Sequence, residues 1–142
     1  MTETTNSPRD WVNEHIQRYL ATNGADGHDW NGYPTLLLTT IGRRSGTPRR
    51  TALIYGRDGE NYLLVASQGG LPEHPLWYRN LTANPEVQLQ VGPEKFTARA
   101  RTATPEEKPA LWRTMVGVYP PYEEYQGRTD RDIPVVILER TS

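Results

Sequence analysis

The segment TLLLTTIGRRSGTPRRTALIYG, residues 35–56, decides how this chain folds. Two apolar runs flank a stretch, residues 42–50, that holds four arginines, two glycines and one proline. Apolar, β-branched runs of this length predict strands, and glycine lets the backbone turn between them. The sequence therefore predicts two strands, Thr35–Ile41 and Ala52–Gly56, joined by a flexible basic loop. We call residues 42–50 the arginine segment.

The arginine segment is suited to binding an anion, because arginine carries a planar, permanently charged fork that matches phosphate and carboxylate. A solvated turn with incidental arginines is the alternative. The whole chain of 142 residues has a net charge of −1, so the positive charge is a local feature. This contrast favours a small anionic ligand over nucleic acid, whose backbone contacts a wider basic face.

The composition excludes several kinds of chemistry. The chain has no cysteine, which rules out disulfides, thiolate nucleophiles and sulfur-ligated metals. Its three histidines, His15, His28 and His74, lack the spacing of metal ligands, so no metal site is expected. The polar N-terminus does not resemble a signal peptide, and no apolar run approaches the ~20 residues that span a bilayer. These features predict a soluble, cytoplasmic protein.

Further periodic runs predict the rest of the fold. An Asp58-Gly59 pair marks a tight hairpin after the second strand. Strands are predicted at residues 61–67, 86–91, 96–102 and 134–139, and helices at residues 7–23, 76–81 and 104–117. The proline- and tyrosine-rich tract, residues 119–125, is assigned neither helix nor strand. About six strands with short links predict a mainly β fold, an antiparallel barrel with peripheral helices.

The first predicted helix has three candidate roles. Trp11, His15 and Tyr19 share one side of it. It could pack against the domain, form a mobile lid over a site, or bind to another surface. A peripheral contact with a membrane is one example of the third role. The chain divides accordingly into an N-terminal helix and loop, residues 1–34, and a barrel domain, residues 35–142. A monomer and a homodimer both stay open.

A second loop of small residues and prolines, residues 68–75, follows the third predicted strand. That strand is expected beside the first one, so that both loops leave the same end of the sheet and converge on one molecule. Backbone amides at residues 67–70 allow close approach, and Trp77 and Tyr78 offer cover for a flat ring. A ligand with an anionic tail and a planar head, such as a flavin-like cofactor or a nucleotide, suits both loops.

Nucleophilic catalysis has no support in the sequence. Ser45 and Ser67 lack an identifiable base, and there is no Gly-x-Ser-x-Gly elbow, dinucleotide-binding glycine motif or Walker loop. A protein that binds a redox cofactor needs none of these groups, because the cofactor carries the chemistry.

Four motifs in order carry a resemblance to a known family: TTxGRRSGxPR from residue 39, ASxGG from residue 66, PxWYxNLxANP from residue 75, and YPxYxxYQxxTxRxIP from residue 119. Over about residues 33–140 the chain resembles the deazaflavin-dependent nitroreductase family of actinobacteria, which are coenzyme F-420-dependent oxidoreductases. The resemblance implies an antiparallel split β-barrel of the flavin-mononucleotide-binding type.

The resemblance also implies an activity. Reduced 8-hydroxy-5-deazaflavin coenzyme (coenzyme F-420) would donate hydride to a small electron-poor acceptor such as a quinone or a nitroaromatic compound. The alternatives are a flavin-mononucleotide-dependent oxidoreductase and a non-catalytic barrel that carries a cofactor or a lipid. Nucleic-acid binding through the arginine segment is the weakest rival, because the chain as a whole is nearly neutral.

The resemblance assigns roles residue by residue. Contacts with the phosphate and polyglutamate tail are implied for Arg43, Arg44, Ser45, Arg49, Arg50, Thr51, Ala52, Leu53 and Ile54. Contacts with the deazaflavin ring are implied for Val65, Ala66, Ser67, Gln68, Leu76, Trp77, Tyr78, Arg79 and Asn80. Tyr119, Tyr122 and Tyr125 are implied on the substrate side, Tyr122 also meets the cofactor, and Ser67 or Tyr122 would orient the accepting oxygen.

One position departs from the family pattern. Many relatives have lysine where this chain has Gln68, so a point charge beside the cofactor is lost, and Glu73 in the same loop adds a negative charge.

Overall fold

A computed structural model of the chain describes residues 5–6, 10–30 and 32–141; the side chains of residues 5, 6, 10–12 and 30 are not part of that description. The predicted helix start at Ser7 and the side chains of Trp11 and Val12 therefore lie outside the described residues.

The described residues form strands and helices in an order close to the predicted one. The strands are β1 Thr5–Asn6, β2 Asp29–Trp30, β3 Tyr33–Ile41, β4 Pro48–Ile54, β5 Gly56–Asp58, β6 Asn61–Val65, β7 Glu86–Val91, β8 Glu94–Thr102 and β9 Val135–Arg140. The helices are α1 Asp10–Ala21, α2 Leu76–Ala83, α3 Lys108–Val118 and α4 Pro121–Gly127.

The sheet curls back on itself. Its strand order is β1-β4-β3-β7-β8-β9-β6-β5, with β2 beside β3. The pairs are antiparallel except for β1 with β4. Tyr55 alone separates β4 from β5, although these strands lie near opposite edges of the sheet. One chain segment therefore joins the two edges, and the predicted mainly β, antiparallel split barrel is confirmed.

The barrel is filled by alternate residues of its strands, as the period of two along a strand requires. Leu36, Leu38, Leu64 and Leu138 are fully buried in this inner cluster. Burial of each such side chain contributes roughly 1.5–3 kcal/mol. A second cluster lies outside β6 and β9, under α3 and α4, and a third lies between α1 and the outer face of β3. The helices thus cover the barrel and do not fill it.

The second predicted strand begins earlier than expected. It was placed at Ala52–Gly56, but β4 begins at Pro48, which pairs with Ile41, and the pairing continues to Ile54 opposite Thr35. Proline is tolerated at a first strand position because its missing N–H removes no ladder bond there. The turn is only residues 42–47. Arg49 and Arg50 are consequently strand residues that point to opposite faces of the sheet.

The expectation that the third predicted strand lies beside the first is wrong. β6 pairs with β9 and β5, because the chain turns at Tyr55 from one edge of the sheet to the other. Four successive antiparallel pairings, β3/β7, β7/β8, β8/β9 and β9/β6, separate the two strands. An even number of reversals leaves β3 and β6 running the same way. The loops that follow them therefore do leave the same end of the barrel.

The described part of α1 packs against the outer face of the barrel. Ile16 and Tyr19 have no exposed surface and lie against Leu37. The hydroxyl of Tyr19 accepts a hydrogen bond from the N–H of Gly92 at 2.6 Å. It also lies 3.1 Å and 3.2 Å from the carbonyl oxygens of Thr35 and Gln90, to one of which it donates. Whether residues 1–34 act as a separate lid stays a prediction.

Among the residues described, no helix is long and apolar enough to cross a membrane. A membrane contact of α1 has no support from its packing, since Ile16 and Tyr19 already face the barrel.

Substitution Tyr19→Phe should destabilise the fold by about 1–3 kcal/mol, because the N–H of Gly92 and a carbonyl oxygen lose their buried partner. Urea unfolding measures the change. Tyr62→Phe is the control, since Tyr62 is also buried but its hydroxyl has no hydrogen-bond partner among the described residues. Equal losses in the two variants would show that the Tyr19 hydroxyl does not hold α1 in place.

Candidate functional site

The candidate residues gather at the end of the barrel where β3 and β6 stop. The arginine segment follows β3, the loop of residues 66–75 follows β6, and α2 comes after that loop. On the side away from β3, β4 pairs with β1 only at Arg49 and Arg50. From Thr51 to Ile54 it has no strand on that side among the residues described. Half-buried backbone is therefore accessible along this edge.

The turn of the arginine segment is tightly folded. The N–H of Gly42 donates to the carbonyl of Thr47, and the N–H of Gly46 to that of Gly42, both at 2.8 Å. A Cβ at Gly42 would lie 2.6 Å from the hydroxyl oxygen of Ser45, so the exposed serine side chain would have to move if another residue stood there. Gly46 has a φ of 71°, in the left-handed region that glycine adopts without strain. The turn geometry is thus set by the sequence of the loop itself.

The positive charge of this turn is not neutralised. In the described part of the chain, the exposed side chains of Arg43, Arg44 and Arg49 have no ion pair or hydrogen bond. By contrast, Arg101 pairs with Glu107 at 2.7 Å and Arg140 with Glu94 at 3.0 Å. Arginine forks without carboxylate partners are the arrangement that a phosphate or carboxylate ligand requires.

Arg50 lies apart from the other three arginines. It lines a groove of about 380 Å³ on the outer face of β3, β7 and β8, with Leu20, Leu37, Thr39, Gln88, Leu89, Gln90, Lys95, Phe96 and Thr97. Desolvation by burial lowers the pKa of Arg50. Ala52 and Ile54 share the outer face with Arg50, while Thr51 and Leu53 point inward. A ligand bound at β4 would therefore contact the backbone edge or the side chains on one face of the strand. It would not contact all five side chains of residues 50–54.

Asn80 of α2 joins the helix to the arginine segment. Its amide nitrogen donates to the hydroxyl of Thr40 at 3.2 Å, and its amide oxygen accepts from the N–H of Arg43 at 3.2 Å. The side chain is buried, so both bonds are made away from water. The predicted tail-binding and ring-binding regions are therefore physically connected, through α2 and not through neighbouring strands.

The other predicted residues of α2 lie in different environments. Leu76 is 68% exposed, and Trp77 packs against the inner core. Tyr78 shares a hydrogen bond of 2.9 Å with the hydroxyl of Thr102, and Arg79 lies 3.6 Å from the carboxylate of Glu73. The Tyr78 hydroxyl is thus directed toward β8, while its ring lies 4.8 Å from that of His74 in the loop, so Tyr78 connects α2 with both.

The loop after β6 has an unusual backbone. Gln68, Gly69 and Gly70 have φ values of 46°, 64° and 81°, and this region is strained for a residue with a side chain. A Cβ at Gly70 would lie 2.5 Å from the carbonyl oxygen of Tyr125. Helix α4 therefore packs directly on this turn. Ala66 before it is fully buried, and Val65 belongs to the same outer cluster as Tyr122.

The proline- and tyrosine-rich tract, expected without regular structure, forms α4. Pro121 occupies the first turn, where its fixed φ suits a helix. Glu123 and Glu124 also lie in the first turn, where their negative charges interact favourably with the positive end of the helix dipole. The helix places its tyrosines together, and the hydroxyls of Tyr119 and Tyr125 lie 3.3 Å apart. Tyr33, which sequence reasoning missed, meets Tyr119 edge-on with ring centroids 4.8 Å apart.

Tyr119 and Tyr122 stay neutral near pH 7. The hydrogen bond with Tyr125, followed by burial, raises the pKa of Tyr119 to about 12. Burial is also the main cause that raises the pKa of Tyr122, with Tyr119 and Tyr125 adding to it. Neutral phenols of this kind can donate hydrogen bonds but are poor proton acids.

Two hydroxyls at the site are buried without a partner. Ser67 is 8% exposed and Tyr122 is 5% exposed, and neither hydroxyl makes a hydrogen bond to another described residue. Buried polar groups are satisfied in the great majority of cases, and the exceptions usually have a functional explanation. A bound ligand is a suitable partner for both hydroxyls.

The described residues combine a curled barrel, an arginine turn with no ion pair, two hydroxyls with no hydrogen-bond partner and an aromatic cluster, and this combination is typical of split-barrel proteins that bind an anionic, planar cofactor. A family model described as F420H(2)-dependent quinone reductase matches residues 11–140. An F420H(2)-dependent quinone reductase of Mycobacterium tuberculosis is 45% identical over 130 residues, which cover 89% of this chain and 87% of that protein. This chain belongs to the F420H(2)-dependent quinone reductase family, and the predicted membership of the deazaflavin-dependent oxidoreductases is confirmed.

Solved structures agree with the fold. A structure of an F420-H2 dependent reductase, FDR-A, is 45% identical with a TM-score of 0.70, and the match covers 75% of this chain and 94% of that one. A second solved chain, described as a domain-swapped dimer, is 43% identical with a TM-score of 0.73. That match covers 94% of this chain and 100% of the other.

His74 gives the site a pH dependence. Its Nδ1 accepts a hydrogen bond from Nη1 of Arg131 at 2.9 Å, and its ring lies 4.8 Å from that of Tyr78. Burial, followed by the positive charges of Arg131 and Arg79, lowers the pKa of His74 below its ordinary value of 6.5. The folded protein thus favours neutral His74, and its stability should fall as the pH drops below about 6.5.

His74→Asn should reduce this pH dependence, because asparagine can accept the same hydrogen bond without titrating. Thermal unfolding of both proteins between about pH 7.5 and about pH 5 makes the comparison. The wild type should lose more stability than the variant on acidification. Parallel curves for the two proteins would exclude His74 as the titrating group.

Proposed function

We propose that this protein is an oxidoreductase that uses reduced coenzyme F420 to reduce a quinone. Coenzyme F420 defines the family to which the chain belongs, and the class of enzyme follows from that membership. The observation that carries the proposal for this chain is the pair of buried, unpartnered hydroxyls of Ser67 and Tyr122. They lie at the same end of the barrel as the arginine turn, whose arginines make no ion pair with a described residue.

The residues present fit such a cofactor. Arg43, Arg44 and Arg49 would hold its phosphate and carboxylates, because their guanidinium groups are exposed and unpaired within the described chain. The turn at Ser67 and the apolar surface of Trp77 would receive its ring system. When bound, the reduced deazaflavin supplies the hydride. The arginine turn therefore acts in binding and not in the chemical step.

The substrate side is assigned to the tyrosine cluster. The neutral hydroxyl of Tyr122 or that of Ser67 would donate a hydrogen bond to the oxygen of a quinone and so orient it. Because burial raises the pKa of Tyr122, the proton that completes the reduction would come from water and not from this phenol. Tyr119 and Tyr125 hold each other through their hydroxyls and offer aromatic faces against which a flat acceptor can stack. Positioning of this kind supplies most of the rate in a transfer between two bound rings.

A homodimer is the proposed assembly. One similar solved chain is described as a domain-swapped dimer. Light scattering of the purified protein would separate a dimer from a monomer.

Turnover tests the function. Purified protein with reduced F420 and a water-soluble naphthoquinone should restore the fluorescence of the oxidised coenzyme as the quinone is consumed. A nitroaromatic acceptor and reduced flavin mononucleotide as alternative donor belong in the same experiment. Binding of reduced F420 without oxidation by any acceptor would favour the non-catalytic carrier, and turnover with flavin alone would favour the flavin enzyme.

Arg49→Ala should weaken binding of F420 about 10–100-fold, since a charge-assisted hydrogen bond contributes roughly 1.5–3 kcal/mol. Titration of the coenzyme's fluorescence gives the affinity. The thermal midpoint should not change, because the side chain of Arg49 is exposed and makes no ion pair or hydrogen bond with a described residue. Arg113→Ala, an exposed arginine on α3, removes the same charge and should leave the affinity intact. Equal affinities of the two variants would place Arg49 outside the cofactor site.

A further inference from the structure

Arg131 makes an unusual set of contacts. Its Nη2 donates to the carbonyl oxygens of Ser67 at 2.8 Å and Leu71 at 3.0 Å, and its Nε donates to Leu71 at 3.2 Å. Its Nη1 donates to the carbonyl oxygen of Ala66 at 3.0 Å and to Nδ1 of His74 at 2.9 Å. No carboxylate in the described part of the chain pairs with it. The guanidinium therefore binds backbone and not an acid.

Arg131 binds backbone carbonyls on both sides of one turn. This turn contains the three residues with left-handed backbone, at positions 68–70. Inside this turn the backbone makes two hydrogen bonds, from the N–H of Gly70 to Ser67 at 2.9 Å and from that of Leu71 to Gln68 at 3.2 Å. The positive φ of Gln68 destabilises this turn, because a residue with a side chain is strained in the left-handed region. The shape of the turn thus depends on support from outside, and Arg131 spans both its ends.

Arg131 is itself fixed by α4. The amide nitrogen of Gln126 donates to the carbonyl of Arg131 at 2.7 Å, and the amide oxygen of Gln126 accepts from the N–H of Ile133 at 3.0 Å. The N–H of Arg131 donates to the hydroxyl of Thr129 at 3.1 Å. The same helix carries Tyr122. One side chain therefore connects the helix of the substrate side with the turn of the cofactor side.

We propose that Arg131 is a positioning residue of the active site, whose guanidinium sets the distance between the Ser67 hydroxyl and the Tyr122 hydroxyl. The inference rests on the proposed function for its catalytic consequence. A lysine cannot replace the arginine, because a single ammonium cannot reach three carbonyls and a histidine in one plane as the guanidinium fork does. The fixed positive charge also remains beside the ring-binding turn, with no carboxylate to cancel it.

Arg131→Lys keeps the charge and Arg131→Gln removes it; Arg128→Lys and Arg128→Gln are the matched controls. Arg128 is three residues away and exposed; it makes a 3.5 Å bond to the carbonyl of Gly69, an ion pair with Glu124 and a cation–π contact of 5.4 Å with the Tyr125 ring, but it does not bind the carbonyls of Ala66, Ser67 or Leu71. Amide hydrogen exchange of Gly70 and Leu71 in the protein without cofactor should speed up at least about tenfold in both Arg131 variants. The controls should exchange like the wild type.

Kinetics give the second readout. Both Arg131 variants should lose kcat/KM for the quinone on the order of 100-fold, mainly in kcat, since a small misplacement of reacting groups costs about that much. Tyr19→Phe serves as the stability control, because it weakens the fold at a distance from the site. If it loses as much activity as Arg131→Lys, or if Arg131→Lys keeps wild-type kcat and wild-type exchange, the positioning role is overturned.

The two proposals fail separately. A wild-type protein that never oxidises reduced F420 would overturn the proposed function. Unchanged amide exchange of the turn in Arg131→Gln would overturn the role of Arg131 whatever the reaction is.

Discussion

The fold depends on the bend of the chain at Tyr55. At this residue the chain leaves β4, near one edge of the sheet, and enters β5 at the opposite edge. The residue is buried, its hydroxyl lies 2.7 Å from Nε2 of His28, and its ring contacts that of Tyr62 at 5.6 Å. The barrel therefore closes through a covalent corner and not through a ladder between β4 and β6. Along Thr51–Ile54, β4 has no strand on its outer edge among the residues that the structure describes. An exposed sheet edge can pair with another chain unless something covers it, so this edge is a place where the fold can accept a ligand or a partner.

Several destabilising features lie together at the end of the barrel where β3 and β6 stop. Within the described residues, the hydroxyls of Ser67 and Tyr122 have no hydrogen-bond partner, Gln68 adopts a left-handed backbone, and the arginines of the turn make no ion pair. Each of these features costs stability, and strained or unsatisfied groups of this kind cluster at functional sites. The remainder of the barrel, with its fully buried leucines, offsets the cost. The distribution of unsatisfied groups thus points to one end of the fold as the functional end.

Much of the fold could be predicted from local patterns, and the exceptions have physical reasons. Alternating apolar residues predicted the strands, and glycine-containing segments predicted the turns. The partners of each strand were not predictable, because nothing local distinguishes a corner at Tyr55 from a short hairpin that would place β6 beside β3. Helix α4 was missed since Pro120 and Pro121 suggest a loop, although proline is favoured in the first turn of a helix.

The site was predictable only where side chains follow a motif. The charge of the arginine turn was visible in the sequence, but the separation of Arg49 from Arg50 required the register of β4 against β3. Arg131 was part of a recognised motif, yet its role had no sequence signal, because carbonyl oxygens that bind a guanidinium come from backbone of any composition. Tyr33 was missed for a similar reason, since its contact with Tyr119 joins distant parts of the chain.

The glutamine at position 68 can now be explained by charge and geometry together. Its amide nitrogen donates to the carbonyl of Glu73 at 3.1 Å, so the side chain folds the loop and does not face a ligand as a free charge. The carboxylate of Glu73 lies 3.6 Å from Arg79, an exposed pair that contributes about 0–1 kcal/mol but cancels the local negative charge. Arg131 then remains as the cation nearest the turn, held by carbonyls that orient it without neutralising it. The turn in this way keeps a positive charge beside it, from Arg131, while the side chain of Gln68 shapes the loop.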